Sequence, residues 1–149
     1  MSKILDKSIG LINDTNRGVL LTIDKDKQIH GRPIGAYGND GLDIFFVSKK
    51  ETKKAEHIKE NPNVTFYIES AGEKPEDFKY LSISGEAQII DEINEVENAK
   101  NIIRRKYARL NDLLSDGNSD EWAVYVIRSK SLKYYETNEN GPTEITEAL

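Results

Sequence analysis

The sequence predicts a mainly β fold with flanking helices, built on an antiparallel sheet that can close into a barrel. Three observations carry that expectation. The first three extended segments are joined by connections far too short for the crossovers of a parallel sheet. Residues 80–90 alternate apolar and polar side chains with the period of a strand that has two unlike faces. Two segments, 48–61 and 94–114, switch to the spacing of amphipathic helices.

From the start, Ser2 to Asn13 place Ile4, Leu5, Ser8, Leu11 and Ile12 on one helical stripe. Val19 to Asp24 is β-branched-rich, turns at Lys25-Asp26-Lys27 and resumes as Gln28 to Tyr37, which predicts a hairpin. Gly38-Asn39-Asp40-Gly41 supplies residues that tolerate positive φ, so a second turn is expected before the strand Leu42 to Ser48. The following helix turns Ala55 and Ile58 inward and stops at Asn61-Pro62, because proline disfavours helix at the residue before it. Val64, Phe66 and Ile68 alternate with Thr65, Tyr67 and Glu69 as the next strand. After a polar loop at Ala71 to Asp77, Leu81, Ile83, Gly85, Ala87 and Ile89 face one way and Ser82, Ser84, Glu86 and Gln88 the other. The long helix carries Val96, Ala99, Ile103, Tyr107, Leu110 and Leu114, with Gly117-Asn118 expected to end it. Strands at Trp122 to Arg128 and Leu132 to Glu136 complete a single domain over 1–137, leaving 138–149 as an acidic, flexible tail with little to bury.

Composition narrows the function classes. A chain of 149 residues suits one domain. Its formal charge of −5 argues against a non-specific partner in nucleic acid or a membrane surface. Without cysteine there are no disulfides, thiolate metal sites or cysteine nucleophiles. The N-terminus shows no apolar signal segment and no run approaches a membrane span, so a cytoplasmic protein is expected.

The chain has no G-x-G-x-x-G, no Walker loop and no H-E-x-x-H. Two segments remain informative. In His30-Gly31-Arg32-Pro33-Ile34 an arginine inside a strand must snorkel outward or meet an anion, and the proline demands an edge or a bulge. Ser48-Lys49-Lys50-Glu51-Thr52-Lys53-Lys54 joins a strand to a helix and combines four lysines with the unpaired amides of a helix N-terminus, which suit a phosphate. The same segment is also a capping box, Ser48 with Glu51, beside a solvated lysine face. His30 and His57 stand isolated as haem or metal ligands, so surface or structural roles are expected of them. Trp122 is expected as a core or interface aromatic.

Taken in order, Gly18 to Asp24, Gly31-Arg32-Pro33-Ile34, Ile44 to Ser48, Thr52-Lys53-Lys54-Ala55, Glu60 to Val64 and Tyr80 to Ala87 resemble the pyridoxamine-phosphate-oxidase-like FMN-binding split barrels, in particular the general stress protein 26 group. The resemblance covers roughly Leu11 to Ile90. It implies an antiparallel FMN-binding split β-barrel in which Arg32, Pro33 and Ile34 line the flavin. It sets Val47 and Ser48 against the ring and ribityl chain, and Thr52, Lys53 and Lys54 against the phosphate. Tyr80 is implied as a contact from the partner of a homodimer, with FMN at the subunit interface. The implied activity is a flavin-dependent oxidoreductase drawing on NADH or NADPH; a non-catalytic flavin-binding stress protein and a deazaflavin- or haem-binding barrel are the alternatives. Nothing after Arg128 is arginine or histidine, so the resemblance does not extend to oxidation of pyridoxamine phosphate itself.

Overall fold

The computed structural model describes residues 3–114, 121–138 and 140–149. The chain runs α1 (Lys3–Asp14), β1 (Gly18–Ile23), β2 (Ile29–Ile34), β3 (Tyr37–Asp40), β4 (Asp43–Lys49), α2 (Lys53–Glu60), β5 (Asn63–Ser70), β6 (Lys79–Ile90), α3 (Ile93–Lys106), α4 (Leu110–Leu114), β7 (Trp122–Asn138) and β8 (Gly141–Ala148). The strands form one 8-stranded sheet in the order β2-β1-β5-β6-β7-β4-β3, with β8 added on β7. Every pairing is antiparallel, as the short connections require. The sheet curls without closing: among the described residues no ladder joins β2 to β3. Among the described residues no helix is long and apolar enough to cross a membrane.

Two apolar cores explain the two kinds of strand. Inside the curl, Leu20, Phe66, Ile68, Leu81, Ile83, Ile127 and Leu132 pack with Leu11 and Ile12 of α1 and Ala55 and Ile58 of α2. Behind the sheet, Phe45, Val47, Ile90, Val124 and Val126 pack under Ala99, Ile102 and Ile103 of α3 and Leu110 of α4. Strands β4 and the first half of β7 are therefore buried on both faces and their sequences are continuously apolar, whereas β1, β5 and β6 bury one face and alternate. Gly38 makes the second core possible, since a Cβ there would lie 2.6 Å from the backbone oxygen of Ile102. Ile89 departs from its expected place: it follows Ala87 on the inner face but lies beyond the end of the core, 53% exposed, while Ile90 packs behind the sheet.

Several boundaries differ from the sequence reading for physical reasons. Gly38, Asn39 and Asp40 lie in β3, and the turn is made by Gly41, at φ 62°, and Leu42. The long helix breaks after Lys106, but Tyr107 and Leu110 continue to pack against the second core, so the break leaves the apolar spacing undisturbed. The Gly117-Asn118 stop lies outside the described residues. The two last expected strands are one, β7, bent where Lys130 is an extra residue between the Gly85↔Ser129 and Ser84↔Ser131 pairs. The expected acidic tail is corrected as well: Gly141 to Ala148 forms β8, paired along β7 from Asn138↔Gly141 to Ser131↔Ala148. That segment buries little, and backbone hydrogen bonding to the outer half of β7 sets its place.

Candidate functional site

Strand alternation sends the residues of β2 to different places. Arg32 pairs with Leu20 of β1, which pairs with Phe66 of β5, so all three point inward. Pro33 pairs with Val19, opposite Tyr67, and faces outward from an edge strand, where a missing ladder donor is harmless. Ile34 points inward again and is buried in the first core. The side chains of Arg32, Pro33 and Ile34 therefore do not share one surface.

Arg32 is half-buried at the open edge of the curl, under α2. Its Nη1 donates to the Thr22 hydroxyl at 2.6 Å and to the Leu20 carbonyl at 3.3 Å, and Nη2 lies 3.4 Å from His57 Nδ1. Thr22 Oγ1 in turn is 2.9 Å from His57 Nδ1, so a buried hydroxyl and a buried ring lock the guanidinium in place. Lys54, three residues before His57 on the same helix face, is half-buried beside Arg32. Burial and the neighbouring Arg32 charge both push the Lys54 ammonium below the usual lysine range, and burial lowers Arg32 too. Among the described residues neither cation pairs with a carboxylate. Two desolvated like charges side by side are unfavourable unless an anion joins them.

The strand-to-helix junction supplies hydroxyls and amides nearby. Thr52 caps α2, its Oγ1 accepting from the Ala55 amide at 3.2 Å, and Ser48 Oγ is 3.4 Å from it. The cap is Thr52 and not the expected Ser48–Glu51 box, because the helix starts only at Lys53. Lys53 lies 3.8 Å from Glu56, with its side chain 86% exposed. With Thr52, Glu56 and Lys59 it borders a cavity of about 890 Å³ floored by Ala87, Ile89 and Tyr125. Val47 turns into the core under α3, on the opposite face of β4 from Ser48. Tyr80 lies on the outer face, stacked on Tyr135 at 5.2 Å and 5.6 Å from Tyr67, with its hydroxyl donating to Glu144. That carboxylate raises the Tyr80 phenol to about 12.

Of the expected site residues, the structure thus gathers Arg32 with Lys54, and Ser48 with Thr52. Pro33 and Tyr80 share the outer face, Val47 and Ile34 are core, and Lys53 is solvated. Sequence reasoning missed Thr22 and the role of His57, both of which the fold adds behind Arg32. It also read His30 as isolated, whereas its ring is 4.6 Å from that of His57 and its Nε2 2.8 Å from Asp24. The two-residue step from His30 to Arg32 on a strand and the three-residue step from Lys54 to His57 on a helix were signals of shared faces.

Comparison with known proteins agrees with this fold. The pyridoxamine 5'-phosphate oxidase family is matched over residues 5–133. The chain belongs to that family. General stress protein 26 of Bacillus subtilis is 35% identical over 88 residues, 58% of this chain and 59% of that protein, so the match spans about three-fifths of the curated relative's length. Among solved structures, a haem-binding protein from Mycobacterium smegmatis superposes with a TM-score of 0.80 at 16% identity, over 98% of this chain and 59% of that one. An FAD-binding protein from Mesorhizobium loti superposes with a TM-score of 0.71 at 16% identity, over 89% and 92% of the two chains. At these identities the two structures speak for a shared split-barrel fold alone.

Proposed function

We propose that the protein binds FMN through its phosphate, with Arg32 and Lys54 as the anion-holding pair, and serves as a flavin-dependent oxidoreductase. The observation that carries this reading is the half-buried pair of cations, which among the described residues has no carboxylate partner. A phosphate dianion matches that charge, and charge-assisted hydrogen bonds from a guanidinium and an ammonium are the strong kind. Flavin, when bound, supplies the hydride or electron transfer. The chain's own residues bind and orient: Thr22 and His57 fix the Arg32 plane, and the Thr52 cap holds the first turn of α2, with Lys54, against β1. The family membership and the FAD-binding structural relative favour a flavin, and the phosphate-sized charge pair favours FMN.

The reading extends to a homodimer with the cofactor at the subunit interface. Its support is the outer face, where Tyr67, Tyr80, Tyr135 and Phe78 form a half-exposed aromatic cluster of the kind that a second copy covers. A cytoplasmic setting and NADH or NADPH as donor belong to the same proposal.

The test is to purify the protein and identify what travels with it by mass spectrometry, then add NADH or NADPH anaerobically. FMN in the purified protein, bleached by reduced nicotinamide, is the expected result. FMN that stays oxidised leaves a passive flavin carrier, and a haem or deazaflavin mass overturns the assignment.

A further inference from the structure

Beside the cation pair, the β1–β2 turn and α2 bring together a second group of side chains with different chemistry. We propose that Asp24, His30 and His57 bind a divalent transition ion of the zinc class, with three protein ligands and an open coordination position. Their potential ligand atoms all lie within 4.8 Å of one another. His30 Nε2 and Asp24 Oδ2 are 2.8 Å apart, and the two imidazole rings approach to 4.6 Å at a tilt of 38° instead of stacking flat. Tetrahedral metal bonds of about 2.0–2.2 Å set ligand atoms about 3.3–3.6 Å apart, so one ion fits such a triangle once the His30–Asp24 pair opens and the wider separations close. His30, exposed on the hairpin, has the freedom to make that adjustment.

Each ligand is already oriented by a partner on its far side. Asp24 Oδ1 accepts from the amides of Asp26 at 2.8 Å and Gln28 at 2.9 Å, which aims Oδ2 at His30. His57 Nδ1 meets the Thr22 hydroxyl at 2.9 Å; in the tautomer that donates Nδ1–H to that hydroxyl, Nε2 is the nitrogen that can take an ion, and the Thr22↔His30 register places the second ring over the residue that holds the first. A ring nitrogen held by an outer hydrogen bond is the usual support of a metal-binding histidine. Two imidazoles and one carboxylate without thiolate suit Zn²⁺, Ni²⁺ or Cu²⁺ better than calcium or magnesium. Arg32 Nη2, 3.4 Å from the same Nδ1, can only donate, so an ion on Nε2 moves the ring proton to Nδ1, towards the Thr22 hydroxyl, and releases that long contact, while solvent reaches His30. The flavin reading is not required, although the two sites share His57 as a wall.

The test is calorimetric titration of Zn²⁺ into the full chain, free of any tag and stripped with chelator, beside H30A and D24N. His57 is buried, so the variants are placed on its more accessible partners, and circular dichroism of the metal-free proteins confirms that the fold is kept. The expected result is one ion per chain, with affinity weakened by at least about 100-fold in both variants. Co²⁺ replaces Zn²⁺ as a spectroscopic probe, and its visible absorption is expected to lose intensity in H30A. Absence of saturable Zn²⁺ binding at micromolar concentrations, or wild-type affinity in either variant, leaves only an aspartate–histidine ion pair and overturns the site.

Discussion

The inner corner at Arg32 and the outer face at Tyr80 are built from the same strands and differ in what burial does to them. On the inside, alternation carries a guanidinium into a half-buried corner, where Thr22 and His57 fix it and Lys54 adds a second charge. On the outside, the alternate positions place Pro33, Val19, Tyr67, Tyr80 and Tyr135 on a face with aromatic stacking and phenol–carboxylate contacts. The corner is electrostatically incomplete by itself, whereas the face is half-covered and its Tyr67 and Tyr80 phenols already have carboxylate partners. A charge deficit demands a specific anion, whereas an aromatic surface accepts any matching surface, so the first points to a ligand and the second to a partner.

Substitutions separate the two. The largest effect is expected for the double change Arg32→Ala with Lys54→Glu, which removes both cations and installs a negative charge. At about 1.5–3 kcal/mol per charged hydrogen bond, FMN affinity falls by on the order of 100-fold or more, while circular dichroism stays native. Unchanged affinity removes the phosphate assignment. A smaller effect is expected on the other face: Tyr135→Glu places a charge in the aromatic cluster and weakens self-association by about 10-fold, read by analytical ultracentrifugation. A variant that dimerises like the wild type moves the interface elsewhere.

The smallest effect sharpens the corner from the opposite direction. Lys54→Gln removes a half-buried charge next to Arg32, so the ligand-free protein gains about 0.5 kcal/mol of stability even as it binds FMN less well. The sign has a pH signature. Lys54 gives up its proton in the fold below the 10.5 of the unfolded chain, so its penalty is full at neutral pH and shrinks as pH climbs through the folded value. Denaturant midpoints of wild type and variant should therefore converge as pH rises towards that range. A variant less stable than the wild type at neutral pH means that Lys54 already has an anionic neighbour.

The same contrast explains what the sequence disclosed. Alternation in β5 and β6 and short connections were enough for an antiparallel sheet, because one-sided burial writes itself into every second residue. Where burial contributes little, the sequence was silent. Strand β8 is rich in Glu and Thr and is held by backbone pairing, which leaves no apolar signature, and Lys130 of the β7 bend looks like an ordinary interruption between two strands. At the site, Arg32 and Lys54 were legible as charges in unusual places. Their meeting depends on α2 packing across β1, a tertiary fact that gives His57 and Thr22 their role and has no local spacing of its own. That the Val47 side chain packs behind the sheet was not legible, because β4 is apolar on both faces and its sequence does not say which residues point which way.

If a phosphate dianion completes the Arg32–Lys54 corner, a side-by-side fluorescence titration of the ligand-free protein with FMN and with riboflavin, which differ only in that group, reads its contribution directly. FMN is expected to bind tighter by on the order of 100-fold, with the difference abolished when both cations are replaced. Equal affinities for the two flavins, in the intact protein, would contradict it.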